Sequence, residues 1–221
     1  MSIQFSRAAA LMQHFFVVGC PRSGTTLLQT CIIANPAIAG IGETFFFRRS
    51  EPAERVRDFL WKLDRYAQRR GATAWCEKSP YHALQMPRIR FYSPGARFIF
   101  ISRPKVETVP RILRMMQQLQ PGNKIWTEAT CDRLWETYRH VYNRYRQAPW
   151  VCSVEYADLV GDTDRTLARV GEFIGYELNA YQDRRAIAAQ SVIRQRETHK
   201  HRVFQSIQPQ PVIDPDITFQ P

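Results

Sequence analysis

Gly19 and Gly24, with four residues between them, follow the apolar run Phe15-Phe16-Val17-Val18 and precede Thr25-Thr26-Leu27-Leu28. A glycine-containing turn between a strand and a helix can cradle an anion. Its backbone N–H groups and those of the first helical turn converge, and the helix dipole favours negative charge there. The general phosphate-loop pattern asks for Gly, four residues, Gly, Lys, then Ser or Thr. Here Thr25 takes the lysine position and Thr26 the hydroxyl position. Arg22 adds a charged donor, and both threonines add hydroxyls. Gly19, Pro21, Arg22, Ser23, Gly24, Thr25 and Thr26 are therefore the candidates for holding a phosphate. The missing lysine argues against an ATPase or kinase, which uses it at the β- and γ-phosphates. It points to another phosphate pattern or another transferred group. On spacing alone, an ordinary tight strand-to-helix connection stays open.

The surrounding pattern predicts the elements that hold this turn. Phe15–Val18 reads as a buried strand, and residues 25–33 read as a helix stopped at Asn35-Pro36. Residues 52–68 carry Val56, Phe59, Leu60, Leu63 and Tyr66 on one helical face. Residues 73–76 suggest a second strand ending at Glu77-Lys78-Ser79-Pro80, and the strongest strand is Arg97–Ser102. A helix is expected after it, with Pro110 kinking or delaying it. A long helix over 128–147, a strand over 150–154 and a helix over Thr163–Ile174 ended by Gly175 complete the pattern. Alternating strands and helices with continuously apolar strands predict a three-layer α/β fold of the P-loop kind, a mainly parallel sheet flanked by helices. Residues 1–207 are expected to form a single domain, with 208–221 a proline-rich tail along the surface.

Lys and Arg outnumber Asp and Glu by 31 to 20, a formal charge of +11, so the partners are expected to be anionic. The arginines are spread along the chain, and no recognised nucleic-acid module accompanies them, so nucleic acid is not the expected partner. Five widely spaced cysteines with no CxxC pair suggest free thiols in a reducing compartment, which makes the cytoplasm the expected location. No apolar run approaches a membrane span, although peripheral membrane contact stays open. Neither HExxH nor paired CxxC occurs, so no metal site is expected.

The phrase Phe16-Val17-Val18-Gly19-Cys20-Pro21-Arg22-Ser23-Gly24-Thr25-Thr26-Leu27-Leu28 resembles the first signature of the sulfotransferases that use 3'-phosphoadenosine-5'-phosphosulfate (PAPS). That resemblance implies that the turn binds the donor's 5'-phosphate, and it accounts for the absent lysine. Phe98-Ile99-Phe100-Ile101-Ser102-Arg103-Pro104 resembles the strand and turn at the donor's 3'-phosphate, with Arg103 the matching arginine. The aspartate usual after that arginine is absent, and Arg111 stands where a serine is usual, so Arg111 or Thr108 is implied in its place. Glu77-Lys78-Ser79-Pro80-Tyr81 resembles a segment of carbohydrate, heparan and bacterial members and implies that Lys78 approaches the transferred group. A surface Glu77–Lys78 pair before a proline turn is the alternative.

Gly42-Glu43-Thr44-Phe45-Phe46 resembles the acceptor-side segment of tyrosylprotein and carbohydrate members, and Glu43 is the implied catalytic base. Its phenylalanine neighbours would desolvate the carboxylate and help it accept a proton. Ser153–Val160 resembles a late structural signature, in which Tyr156 and Asp158 are expected to pack and turn the chain. Arg194 and Arg196 stand where the family places a late basic loop on the 3'-phosphate.

Taken together, the resemblance implies a sulfuryl transfer from PAPS to an acceptor hydroxyl on a sugar, glycolipid, small natural product or tyrosine, leaving 3'-phosphoadenosine-5'-phosphate (PAP). Glu43, Lys78 and Arg22 would be the catalytic residues. Two other classes stay open: a P-loop kinase or nucleotide hydrolase with a degenerate lysine position, and a non-catalytic polyanion- or nucleic-acid-binding protein.

Overall fold

The computed structural model describes residues 11–48 and 50–178. Five strands form one sheet: β1 (Gln13–Gly19), β2 (Ile38–Ile41), β3 (Ala74–Lys78), β4 (Arg97–Ser102) and β5 (Val151–Glu155). Their order is β2-β3-β1-β4-β5, and every pairing is parallel. The helices are α1 (Thr25–Ile32), α2 (Ala53–Gln68), α3 (Met86–Tyr92), α4 (Lys105–Leu119), α5 (Glu128–Tyr145), α6 (Tyr156–Gly161) and α7 (Thr163–Ile174), with short 3-10 turns at Phe46–Arg48 and Pro80–Gln85.

The period of two in the strands sorts the core into two layers. Phe15, Val17, Ile99, Ile101, Cys152 and Val154 pack with α1, α6 and α7. Phe16, Val18, Trp75, Phe98 and Phe100 point the other way, against α2, α3, α4 and α5. Both faces are covered, which is why the middle of each central strand is a continuous apolar run, Phe15–Val18 in β1, Ala74–Cys76 in β3 and Phe98–Ile101 in β4. The expected three-layer α/β arrangement is what the chain forms.

Three differences from the sequence reading have local causes. The strand Ile38–Ile41 was not expected, because Ile-Ala-Gly-Ile is too short to show a period. Helix α4 begins at Lys105 and runs through Pro110 without delay. Pro110 and Val106, whose carbonyl loses its N–H partner, are both exposed residues of the helix. Helix α3 was also not expected; it is seven residues long, and Pro87 occupies a first-turn position that a helix tolerates. The 207/208 boundary and Arg194 and Arg196 lie outside the described residues. Among the described residues, no helix is long and apolar enough to cross a membrane.

Chain direction decides where chemistry can gather. Between β1 and β4 the connections diverge to opposite sides of the sheet, and such a switch leaves a crevice beyond the carboxyl ends of the strands. Gly19, Ile41, Lys78, Ser102 and Glu155 are the last residues of the five strands. Glu43, Lys78, the 19–26 turn and Arg103 therefore belong to one edge.

Candidate active site

The turn after β1 has the backbone the sequence asks for. Gly19 has φ 149°, Arg22 φ 69° and Gly24 φ 104°. Ser23 N–H closes the turn by donating to Cys20 O at 3.1 Å. Gly24 caps α1, whose first turn has neither a side-chain cap nor an acidic residue. The N–H groups at that end are thus left for an external anion. Arg22 is exposed on the lip of the turn, while Ser23 and Thr25 are buried. Ser23 Oγ is the one buried side-chain polar atom without a hydrogen-bond partner among the described residues. Cys20 is buried in the same turn, and burial pushes its thiol well above the ordinary range, so it stays neutral.

Lys78 ends β3, and Glu43 follows β2 by two residues. The Lys78 ammonium donates to Glu43 Oε1, and the two side chains are 5% and 12% exposed. The pair joins the two strand ends across the mouth of the sheet. Gln29 of α1 fixes those ends from below, with Nε2 donating to Ile41 O at 2.6 Å and to Cys76 O at 2.9 Å. Sequence reasoning missed Gln29; its polar amide on an otherwise apolar helix face was the available signal.

Glu77 does not form the surface pair with Lys78 that its sequence neighbour suggested. Its side chain is fully buried and accepts from Thr44 N–H, Thr44 Oγ1–H, Ser79 Oγ–H and His82 Nδ1–H. His82, which reads as isolated in the sequence, is equally buried. Desolvation pushes the Glu77 carboxyl up, but the electrostatic attraction and hydrogen bond of His82, with bonds from Ser79 and Thr44, outweigh it and hold the carboxyl below its ordinary value of 4.5. A lowered folded value means that the unfolded chain binds the proton first as pH falls. The contribution to stability is therefore complete above 4.5 and is lost as pH falls through the lower folded value. The melting-temperature gap between wild type and Glu77→Gln is expected to be widest near about pH 6 and to narrow toward about pH 3. A gap constant across a thermal-denaturation series in pH would contradict the assignment.

Arg103 follows β4. Its guanidinium lies 3.8 Å from the Tyr156 ring centroid and donates to Glu107 Oε2 through Nε (2.9 Å) and Nη2 (2.7 Å). Tyr156 packs against Gly24, so the 19–26 turn, Tyr156 and Arg103 form a continuous stack. Tyr156 thus packs as expected, but onto the turn itself and at the start of α6. Thr108 offers nothing outward: it is buried, and its hydroxyl donates to Pro104 O and Arg103 O. Arg111 lies exposed on α4 and donates to Glu107 O. Cys20, Ser102, Arg103, Trp135, Tyr138 and Arg139 line a cleft between the ends of β1 and β4 and helix α5.

The family model described as "Sulfotransferase family" matches residues 14–70 and 51–180. The chain belongs to the sulfotransferase family. A Caenorhabditis briggsae relative described as a putative protein-tyrosine sulfotransferase is 23% identical over 187 residues, covering 73% of this chain and 65% of that protein. The chain thus spans slightly under two thirds of that relative's length.

Among solved structures, the sulfotransferase from Alicyclobacillus acidocaldarius is 16% identical with a TM-score of 0.59, covering 87% of this chain and 92% of that one. The sulfotransferase domain of the curacin biosynthetic pathway is 16% identical with a TM-score of 0.58, covering 75% of each chain. A mouse sulfotransferase complexed with PAP is 14% identical with a TM-score of 0.56, covering 89% of this chain and 68% of that one. At these identities the likeness carries the sulfotransferase fold. Within that fold, this chain brings the 19–26 turn, the Glu43–Lys78 pair and Arg103 to one edge of the sheet.

Proposed function

We propose that this sulfotransferase-family chain moves a sulfuryl group from PAPS to an acceptor hydroxyl, using Glu43, Lys78 and Arg22. The observation that carries the reading is the Glu43–Lys78 pair beside an uncapped, glycine-shaped helix N-terminus. The residues present fit the donor. The N–H groups of the 19–26 turn and the unpartnered Ser23 hydroxyl suit its 5'-phosphate, and Arg103, here paired with Glu107, is the cation that would turn to its 3'-phosphate. When bound, PAPS supplies the sulfuryl group and a phosphate leaving group.

Glu43 takes the acceptor hydroxyl proton as the new oxygen–sulfur bond forms. Lys78 and Arg22 neutralise the charge that returns to the 5'-phosphate oxygen as the old sulfur–oxygen bond breaks. Holding the two reactants in line supplies much of the remaining acceleration. The name of the C. briggsae relative makes a phenolic hydroxyl the first acceptor to try. Sugar and small natural-product hydroxyls follow. The same reading takes residues 1–207 as one domain.

The test is incubation of the full chain with ³⁵S-labelled PAPS and 4-nitrophenol, a tyrosine-containing acidic peptide and a hydroxylated sugar panel, with mass analysis of products. Label on an acceptor oxygen is the expected result; label remaining on PAPS with every acceptor would overturn the proposal. Thermal shift separates this reading from a kinase or nucleotide hydrolase. PAP at a hundredfold its Kd is expected to add about 2.7 kcal/mol, or roughly 5–10 °C in Tm. ATP with Mg²⁺ should give less, because Thr25, at the lysine position, is buried. The opposite order would favour phosphoryl chemistry.

A further inference from the structure

The carboxylate of Glu43 is carried by a short segment between β2 and α2, and a connection of that kind does not by itself fix a reacting group. What fixes this one lies behind it. Thr44 N–H donates to Glu77 Oε1 and Ser79 Oγ, both at 3.1 Å, and Thr44 Oγ1–H donates to Glu77 Oε1 at 2.9 Å. Phe45 N–H donates to Ser79 Oγ at 3.3 Å, and Phe47 N–H to His82 Nε2 at 3.4 Å. His82 Nδ1–H closes the set on Glu77 Oε2 at 2.9 Å. Glu77, Ser79 and His82 are each 0% exposed.

Two features separate this cluster from ordinary packing. The Glu77 carboxylate gathers four donors from two separate segments, 43–47 and 78–82, which an apolar side chain of the same size could not do. The same cluster also adjoins both members of the reacting pair: Glu77 precedes Lys78 in β3, and Thr44 follows Glu43. Glu77 itself is sealed from any acceptor or donor, so whatever it contributes passes through its neighbours.

We infer that Glu77, with Thr44, Ser79 and His82, forms a positioning set that holds Glu43 against Lys78 for proton abstraction. The inference rests on the role proposed above for Glu43. It assigns Glu77 and Thr44 an effect on turnover and not on donor binding. An anchored segment keeps the base within reach of the acceptor hydroxyl; a loosened one leaves the base present but misplaced.

The test uses the full chain with ³⁵S-labelled PAPS and the acceptor probes named above. Thr44→Val keeps shape and removes the hydroxyl donor, and it is expected to lower kcat about tenfold while the Kd for PAP stays within about twofold. Thr44→Ser keeps the donor and should stay within about twofold of wild type in kcat. Glu77→Gln should lower kcat by about a hundredfold. The decisive comparison is made with Glu43 already replaced by Gln. With no base left to position, Thr44→Val should cost less than about twofold. An equal cost in both backgrounds, or a Thr44→Ser variant as impaired as Thr44→Val, would overturn the inference.

Hydrogen exchange supplies a readout that needs no turnover. The amides of residues 44–47 should exchange at least about tenfold faster in Thr44→Val and Glu77→Gln, with the central strands unchanged. Unaltered exchange at 44–47 would sink the positioning set. Wild type that shows the expected exchange pattern but labels no acceptor would count against sulfuryl transfer, and the anchoring would stand.

Discussion

Replacing Glu43 by glutamine is expected to lower kcat by about 1,000-fold, within the range that a positioned general base supplies. The Kd for PAP should move by no more than about twofold, because the role proposed for Glu43 is toward the acceptor and not the donor. The substitution is close to isosteric. Glutamine keeps an oxygen that can accept from the Lys78 ammonium, so the contact between the ends of β2 and β3 survives while the proton acceptor is lost. That separates a chemical role from a scaffolding one. Single-turnover measurement with labelled PAPS at saturating acceptor, beside a PAP titration, checks both halves. A fall of less than tenfold would remove Glu43 from the base position. A parallel loss of PAP affinity would move it to the donor site.

The ease with which Glu43 could be singled out contrasts with the cluster behind it. Glu43 stands in a short phrase that can be compared directly, and the same holds for the 19–26 turn, Lys78 and Arg103. Strand β4 and helix α7 were equally legible. Phe98–Ile101 is a continuous apolar run, and Thr163–Ile174 is ended by Gly175 with φ 79°, where a side chain would be strained. Glu77 was not legible. A Glu-Lys pair before a proline looks like a solvated strand end, because its burial depends on donors 33 residues earlier and five later. Burial of a charge is a property of its tertiary partners, and local pattern does not carry it. Tyr156 was expected to pack, but not onto these partners: its ring meets Gly24 and Arg103 only once β5 lies beside β4. Strand β2 lacked the length to display a period, yet it delivers Glu43 to the edge.

The second large effect is expected at Gly19. A Cβ placed there would lie 2.3 Å from Ile101 O and 3.0 Å from Ser23 Oγ, on a backbone with φ 149°. Ile101 is the register partner of Gly19 in β4, and both strands are covered on two faces, so the carbonyl has nowhere to withdraw. Gly19→Ala should therefore force β1 and β4 apart at their carboxyl ends, at a cost of about 2–5 kcal/mol from overpacking and backbone strain together. The displacement falls on the Ser23 hydroxyl and the first N–H groups of α1, so PAP affinity should drop at least about tenfold, beyond what the loss of stability explains. Gly95→Ala is the matched control. Nothing lies within 4 Å of a Cβ at Gly95, and its φ is not in the left-handed region. It should leave Tm within about 3 °C and PAP binding unchanged. Calorimetry of both variants with and without PAP reads the two quantities separately. Wild-type PAP affinity in a folded Gly19→Ala protein would show that the close approach of β1 and β4 does not shape the anion site.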